Sequence, residues 1–274
     1  MSSFVRLPIW RQISWHGSES AVAGLTISIV TPTLNAERFI ARTLASVASQ
    51  SYPTLEHLVV DGGSTDRTEY IVRDSHALWI SRSGQRQAAA INDGVRLATG
   101  EVVAWLNADD VYLPSCLAAV AERFEADRQL DVLYGNCDVI GERDELLWRE
   151  RPGDYDFRRL LRRGNSLAQP AVFLRKRVFE QVGYLDESLE FGMDYELWLR
   201  VRDLRIAYLP MVLAAFRWHR RSKTARSTEA NWRELMLIVR RYGGGWTPEL
   251  VWSFTRARLT LARQQLMRSL LPAR

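Results

Sequence analysis

Asp109 and Asp110 close the stretch Thr99-Gly100-Glu101-Val102-Val103-Ala104-Trp105-Leu106-Asn107-Ala108-Asp109-Asp110. Successive carboxylates directly after an apolar run offer the hard oxygen ligands that a divalent cation takes. The same residues also suit a plain turn in which Asp110 helps to cap the helix that follows. Asp61 precedes Gly62 and Gly63; it could accept a hydrogen bond from a base or a ribose, or open a glycine-rich turn with Asp66 as helix cap. Gln85, Arg86 and Gln87 stand where a helix begins, and the N–H groups of a helix start join arginine in favouring anions; a solvated helix start explains them equally well. Asp194 falls near the start of an amphipathic pattern, where helix dipole and capping geometry both stabilise a carboxylate. His219 follows a short strand pattern, a place where a histidine is ordinarily a surface residue.

The elements that must position these groups can be read from periodicity. Val102 to Leu106 is apolar without alternation, as in a parallel strand buried on both faces. Thr26 to Pro32 reads as the first strand, with Asn35 capping a helix from Ala36 to about Ser49 that buries Phe39, Ile40, Leu44 and Val47. Leu55 to Val60 and Leu78 to Ser81 are the next strands, followed by helices through Leu97 and over Pro114–Ala126. This alternation is the βα pattern of a mostly parallel sheet, whose ligands bind beyond the carboxyl ends of the strands. No GxGxxG follows the first strand, so the dinucleotide fingerprint is absent. Val132 to Ile140 continues as a strand with a hairpin return over Gly141–Arg151. Gln169 to Leu174 is a strand, Arg175 to Val182 a helix ended by Gly183, and Ile206–Leu209 and Leu213–Arg217 two short strands. Arg158, Arg159, Arg162 and Arg163 surround Leu160 and Leu161 in a basic segment that is either a solvated face or a phosphate contact.

The chain has 274 residues, 47% of them hydrophobic, and a formal charge of +5. Lys176 and Lys223 are its only lysines, so the positive charge is almost all arginine, which suits bidentate phosphate contacts. No nucleic-acid signature accompanies that charge, and nucleic acid is not expected as a partner. Cys116 and Cys137 are the only cysteines, which argues against a disulfide framework and for a reducing compartment. The sequence shows neither a signal-peptide core nor an apolar run long enough to span a membrane, so a cytoplasmic or peripheral protein is expected. Residues 1–24 read as an arm packed on the domain. At the other end, Asn231 to Tyr242 is helical, Gly243-Gly244-Gly245 a break, and a helix from Pro248 carries the stripe Leu250, Phe254, Ala257 and Leu261. Five arginines and no acidic residue follow from Arg256 onward. Such a helix can lie on an anionic membrane surface, pack on the domain, or pack on a second subunit of a homo-oligomer.

In order and spacing, these pieces resemble a family 2 glycosyltransferase with the GT-A fold. The resemblance runs from about Thr26 to Thr224. It rests on Ser28-Ile29-Val30-Thr31-Pro32-Thr33-Leu34-Asn35, Val60-Asp61-Gly62-Gly63-Ser64-Thr65-Asp66, Ala90-Ile91-Asn92-Asp93-Gly94, the Asn107-Ala108-Asp109-Asp110 turn, Met193-Asp194-Tyr195-Glu196, and His219 with Ser222-Lys223-Thr224. It implies an α/β fold with a Rossmann-like, mixed and mostly parallel sheet over residues 25–226; the basic amphipathic helices read from the residue pattern occupy 227–274. It also implies that Pro32 and Asn35 line the nucleotide pocket, that Asp61 reads the base, and that Gln85, Arg86, Asn92, Asn107 and Asp110 belong to the donor site. Asp109 would bind Mn2+ or Mg2+ as the family's metal-binding Asp, His219 would touch the metal or the diphosphate, and Asp194 would be the general base. Asn107 departs from the pattern where many relatives have an aspartate, and Gly84 stands where relatives often carry an acidic residue.

The implied reaction is metal-dependent, inverting transfer of a sugar from a nucleotide-sugar, with uridine the expected base. The acceptor would be a hydroxyl of a saccharide or of a polyprenyl-diphosphate-linked saccharide in surface polysaccharide synthesis. Asn107 and Gly84 also fit a non-catalytic nucleotide-binding subunit or scaffold. A sugar-nucleotide pyrophosphorylase would carry a glycine- and arginine/lysine-rich loop where this chain has Thr31-Pro32-Thr33-Leu34-Asn35.

Overall fold

The computed structural model describes residues 24–219, 222–223, 228–252 and 255. The expected arm over residues 1–24 lies almost entirely outside these, as do Phe254, Ala257 and Leu261 of the C-terminal stripe. In chain order the strands are β1 (Ile27–Thr33), β2 (Leu55–Asp61), β3 (Leu78–Ser81), β4 (Val102–Trp105), β5 (Val111–Tyr112), β6 (Val132–Ile140), β7 (Leu146–Glu150), β8 (Val172–Arg175) and β9 (Ile206–Arg217). The α-helices are α1 (Ile40–Ala48), α2 (Thr68–Arg73), α3 (Gln87–Leu97), α4 (Cys116–Ala126), α5 (Phe157–Arg163), α6 (Arg177–Val182), α7 (Met193–Arg200) and α8 (Thr228–Arg241).

The strands form one mixed sheet in the order β3-β2-β1-β4-β8-β6-β9-β5, with β7 paired to β6. β3, β2, β1 and β4 are mutually parallel, as the βα alternation requires. From β8 onward only β6 and β9 pair in parallel; the other pairs are antiparallel. Burial on both faces explains the unalternating runs. Ile27, Ile29, Val102, Ala104, Leu133 and Phe173 point into one core with α4, while Val30, Val103, Trp105, Tyr134, Val172 and Leu174 point into another with α3, α6, α7 and α8. Successive strand side chains alternate sides, so each face needs apolar residues and the strand reads as continuous. Gly94 lets α3 close on β1: a Cβ there would sit 2.3 Å from Val30 Cγ1.

Three expected elements differ in detail. The first helix begins at Ile40 rather than Ala36, because Asn35 adopts the left-handed conformation (φ 51°) that asparagine tolerates better than most residues. The chain therefore turns through residues 36–39 before the helix starts, and Asn35 does not cap it. Gln169 to Ala171 is a 3-10 turn leading into β8, since Pro170 has no N–H for the ladder. The two expected short strands are a single strand, β9, which stays paired to β6 across Pro210 by register shifts at Asn136. A bulge takes up the proline where a ladder break was expected.

Candidate active site

β1, β2 and β4 end at one edge of the sheet, and their following loops are tied together there. Asn35 Oδ1 accepts from Thr65 N at 2.8 Å, Asn35 N donates to Ser64 Oγ at 2.8 Å, and Glu37 N donates to Asp66 Oδ2 at 3.1 Å. After β4, Asp110 N closes a turn onto Asn107 O at 3.0 Å. Asp110 is fully buried: its Oδ1 accepts from Arg217 N at 2.8 Å and its Oδ2 from Asn107 Nδ2 at 3.0 Å. Burial above all, with the neighbouring Asp109 charge, pushes the Asp110 carboxyl well above the usual carboxylate range. Arg217, also fully buried, donates through Nε to Asp109 O at 2.8 Å and through Nη1 to Gly141 O at 2.9 Å. It pairs with Asp144 Oδ1 at 2.6 Å.

This clamp leaves the Asp109 side chain pointing outward, 27% exposed, with His219 Nε2 2.8 Å from its Oδ2. The His219 ring is buried against Phe39, centroids 4.9 Å apart, and its Nδ1 has no partner. A carboxylate and an imidazole on adjacent loops are a fitting pair of ligands for a divalent cation. Among the described residues no third His, Cys, Asp or Glu joins them, so the remaining ligands would be phosphate oxygens and water, the usual arrangement for Mg2+ at phosphate-transfer sites. Asn107 is the hub of the turn. It donates to Asp110 Oδ2 and to Gln169 Oε1 at 3.1 Å, and it accepts from Gln87 Nε2 at 2.8 Å. An aspartate could not make those donations, which accounts for an amide at this position.

Asp194 lies in the first turn of α7, one turn before Trp198, whose ring stacks on Trp105 of β4 at 5.7 Å. Asn165 Nδ2 donates to Asp194 Oδ2 at 2.9 Å. Burial raises the Asp194 carboxyl to about 6 against the lowering effect of the Tyr195 N–H and Asn165, with Glu234 adding a like charge. It is not the helix cap, a position that falls to Gly192.

The other expected donor residues divide by exposure. Asn35 and Arg86 are exposed and Gln85 is partly so, at the starts of their loops and of α3; Gln85 Nε2 donates to Asp93 Oδ2 at 3.1 Å. Pro32 is buried within β1. Asp61 is 2% exposed, and its carboxylate takes the N–H groups of Gly63 and Ser64 at 2.9 and 2.8 Å together with the Ser64 hydroxyl. In this geometry it shapes the turn that borders the edge. Two expectations need correction. Asp110, expected beside Asp109 at the donor, is an internal brace, because a fully buried carboxyl must find its partners inside the protein. Asn92, expected at the donor, is 1% exposed and locks α3 to Leu185 through both its amide N and O at 2.9 Å.

Sequence reading also missed residues. Arg217 resembles any charge after a strand, yet it is the clamp; the sign available was its place at the end of the apolar run Leu213 to Phe216. Gln169 and Asn165 are polar residues in a connecting segment and gave no sign. We predict that Arg217→Met lowers the free energy of unfolding by about 2 kcal/mol or more, since it leaves the Asp109 and Gly141 carbonyls without their side-chain donor and Asp144 without its ion-pair partner. Urea unfolding of the full chain measures it, and a change within about 0.5 kcal/mol would contradict the clamp.

Comparison with known proteins follows the same outline. The model of "Glycosyl transferase family 2" matches residues 28–183, more than half of the chain. A PGL/p-HBAD biosynthesis glycosyltransferase of Mycobacterium tuberculosis is 33% identical over 205 residues, covering 71% of this chain and 78% of the relative. An uncharacterized glycosyltransferase of Rickettsia typhi is 26% identical over 191 residues, 64% of this chain, and the match spans only 58% of that relative's length. Among solved structures, Staphylococcus aureus TarS (residues 1–349) in complex with UDP-GlcNAc superposes with a TM-score of 0.63 at 20% identity, over 78% of this chain and 65% of that one. The mannosyltransferase PcManGT of Pyrobaculum calidifontis, in complex with GDP-Man and Mn2+, gives a TM-score of 0.61 at 22% identity, over 92% of this chain and 74% of that one. The sheet is thus the GT-A type, and the chain belongs to glycosyl transferase family 2, whose members are sugar-transferring enzymes.

Proposed function

We propose that this glycosyltransferase moves a sugar, with inversion, from a nucleotide-sugar to a hydroxyl of a saccharide or lipid-linked saccharide acceptor. The observation that carries the reading is the Asp109–His219 pair at the carboxyl edge of the sheet, with the partly buried Asp194 carboxyl presented by the helix stacked over β4. Asp109 and His219 would hold Mn2+ or Mg2+, and such an ion supplies Lewis-acid neutralisation of the charge growing on the departing diphosphate. The exposed Arg86 and the N–H groups at the start of α3 suit the diphosphate itself, and the walls formed by Pro32, Asn35 and the Asp61 turn suit the base.

Asp194 takes the proton of the acceptor hydroxyl as that oxygen bonds to the anomeric carbon. The bond from that carbon to the phosphate oxygen breaks on the opposite side, and the nucleoside diphosphate departs with the electron pair. A single base suffices for this one displacement. The TarS complex with UDP-GlcNAc and the PcManGT complex with GDP-Man and Mn2+ support a nucleotide-sugar donor and a divalent metal, and the mycobacterial relative's name supports a biosynthetic role.

Thermal unfolding with UDP, dTDP, GDP and CDP, each with and without Mn2+, tests the donor site. One nucleotide at about a hundred times its dissociation constant should stabilise the chain by about 2.7 kcal/mol, with metal only, and Asp109→Ala should abolish the effect. A flat panel would contradict the reading and favour a scaffold that has lost donor binding. Turnover tests the base. Because its carboxyl is held near 6, Asp194 is increasingly protonated below that pH, and the rate should fall about tenfold per unit there. Asp194→Asn should bind nucleotide but not turn over. Persistent turnover would remove Asp194 from its role.

We also infer a peripheral attachment to anionic membrane. Among the described residues no helix is long and apolar enough to cross one, but Leu237, Trp246 and Trp252 are each 60–64% exposed, and the sequence that follows them is rich in arginine. Leu250, by contrast, is fully buried in the core, so the test truncation begins after it. Removing residues 256–274 should reduce flotation with phosphatidylserine vesicles and leave nucleotide binding intact. Unchanged flotation would sink the attachment.

A further inference from the structure

α8 follows the stretch matched by the family model, yet it lies along α7 and reaches the turn that carries Asp194. At one end Tyr242 Oη donates to Glu196 Oε1, and Arg241 Nη1 sits 2.9 Å from Asp186 and 3.8 Å from that same glutamate oxygen. Midway, Ile238 packs on Gly192, where an added Cβ would lie 2.5 Å from Ile238 Cδ1. At the other end Glu234 takes three backbone N–H groups: Glu190 N at 2.8 Å on one oxygen, and Phe191 N and Gly192 N at 2.6 Å each on the other.

A helix start leaves its first N–H groups without partners inside the helix, and a capping side chain normally meets the need locally. Gly192, at the cap position of α7, has no side chain to offer. Glu234, 42 residues along the chain from Gly192, instead accepts the N–H of that cap residue and those of the two residues leading into it. It fixes the backbone immediately before Asp194 and places a second negative charge at the same helix end. The remaining charges in that neighbourhood are already engaged. Lys223 lies 3.8 Å from Glu190 and 5.4 Å from the Phe191 ring, between the fields of Glu234 and Arg86, and Glu196 is paired with Arg200 at 2.8 Å.

We propose that Glu234 is a positioning residue for Asp194, so that α8 belongs to the transfer site rather than to an appendage. Its carboxylate holds the Glu190–Gly192 backbone in the path that presents the base, and its charge raises the proton affinity of the Asp194 carboxylate. The proposal rests on the reading of Asp194 as the base. A neutral side chain at 234 keeps an accepting oxygen but loses the charge, whereas a side chain at 192 collides with Ile238 Cδ1 and abuts the Glu234 carboxylate, forcing a shift there.

The test uses the full chain with 13C in its aspartate carboxyl groups, titrated by NMR, with Asp194→Asn identifying the signal of Asp194. Glu234→Gln should move the Asp194 midpoint downward by several tenths of a pH unit, the direction expected when a like charge is removed. The acid limb of nucleoside diphosphate release, measured with whichever nucleotide-sugar the thermal panel selects, should move the same way. Gly192→Ala should lower turnover on the order of tenfold or more while nucleotide still stabilises the chain. An unmoved midpoint and limb in Glu234→Gln, or full turnover in Gly192→Ala, would overturn the proposal. Turnover surviving in Asp194→Asn would instead overturn the base assignment, and the NMR titration would still report whether Glu234 and Asp194 are coupled.

Discussion

The site depends on burying Arg217 and Asp110 together. Each must find its partners inside the protein, because a buried polar or charged group without them is among the costliest features a fold can carry. Here Asp110 takes the backbone N–H of Arg217, and Arg217 takes the backbone carbonyl of Asp109 and that of Gly141. The end of β9 is thereby welded to the turn after β4, although the two lie more than a hundred residues apart in sequence. Once that weld exists, Asp109 has only the outward direction left, and His219, two residues beyond Arg217, arrives beside it. The pair that suits a metal is a geometric consequence of the pair that cannot.

Asn107 belongs to the same economy of buried polar groups. Its amide meets the Asp110 carboxylate, Gln169 and Gln87 at once, and Gln169 in turn binds the Trp105 carbonyl at the end of β4. Viewed as a departure from a two-aspartate pattern, it is a lost charge. Viewed in the fold, it relieves a fully buried neighbour that a second carboxylate would have repelled. The negative charge at this edge is therefore concentrated on Asp109, where we propose that the metal is held, and the loop around it is held by neutral amides.

Much of this was legible in the sequence, and the reason is burial. Strands sandwiched between two cores must be apolar on both faces, so Val102–Trp105 and Val132–Ile140 announced themselves, and the chemistry had to follow at their ends. Asp109 and Asp194 stand out by their place at a strand end and a helix start, while the roles proposed for them come from the family resemblance. What could not be read is which polar residues turn inward. Asp110 and Asn92 look like donor-site residues, and Arg217 looks like a surface charge, until their partners arrive from distant segments. Asn35 was misjudged for a related reason. Its left-handed backbone and its bonds to Ser64 and Thr65 are set by the neighbouring loop, whereas a helix-cap reading considers only the residues next to it. Likewise Ile206–Leu209 and Leu213–Arg217 read as two strands, but pairing along β6 carries one strand through Pro210 despite its missing N–H.

Two parts of the chain that local reasoning treats separately thus meet in one place: the edge built by the first four strands, and the helices α7 and α8 that close over it. The account is tested most directly by following Mn2+ itself. Electron paramagnetic resonance of free Mn2+, titrated with the full chain and the nucleoside diphosphate that stabilises it, should show the ion bound in the wild type. It should show binding equally in Asp194→Asn and lost in Asp109→Ala. Undiminished binding in Asp109→Ala would mean that the metal, and with it the donor diphosphate, sits somewhere other than the turn held by Arg217.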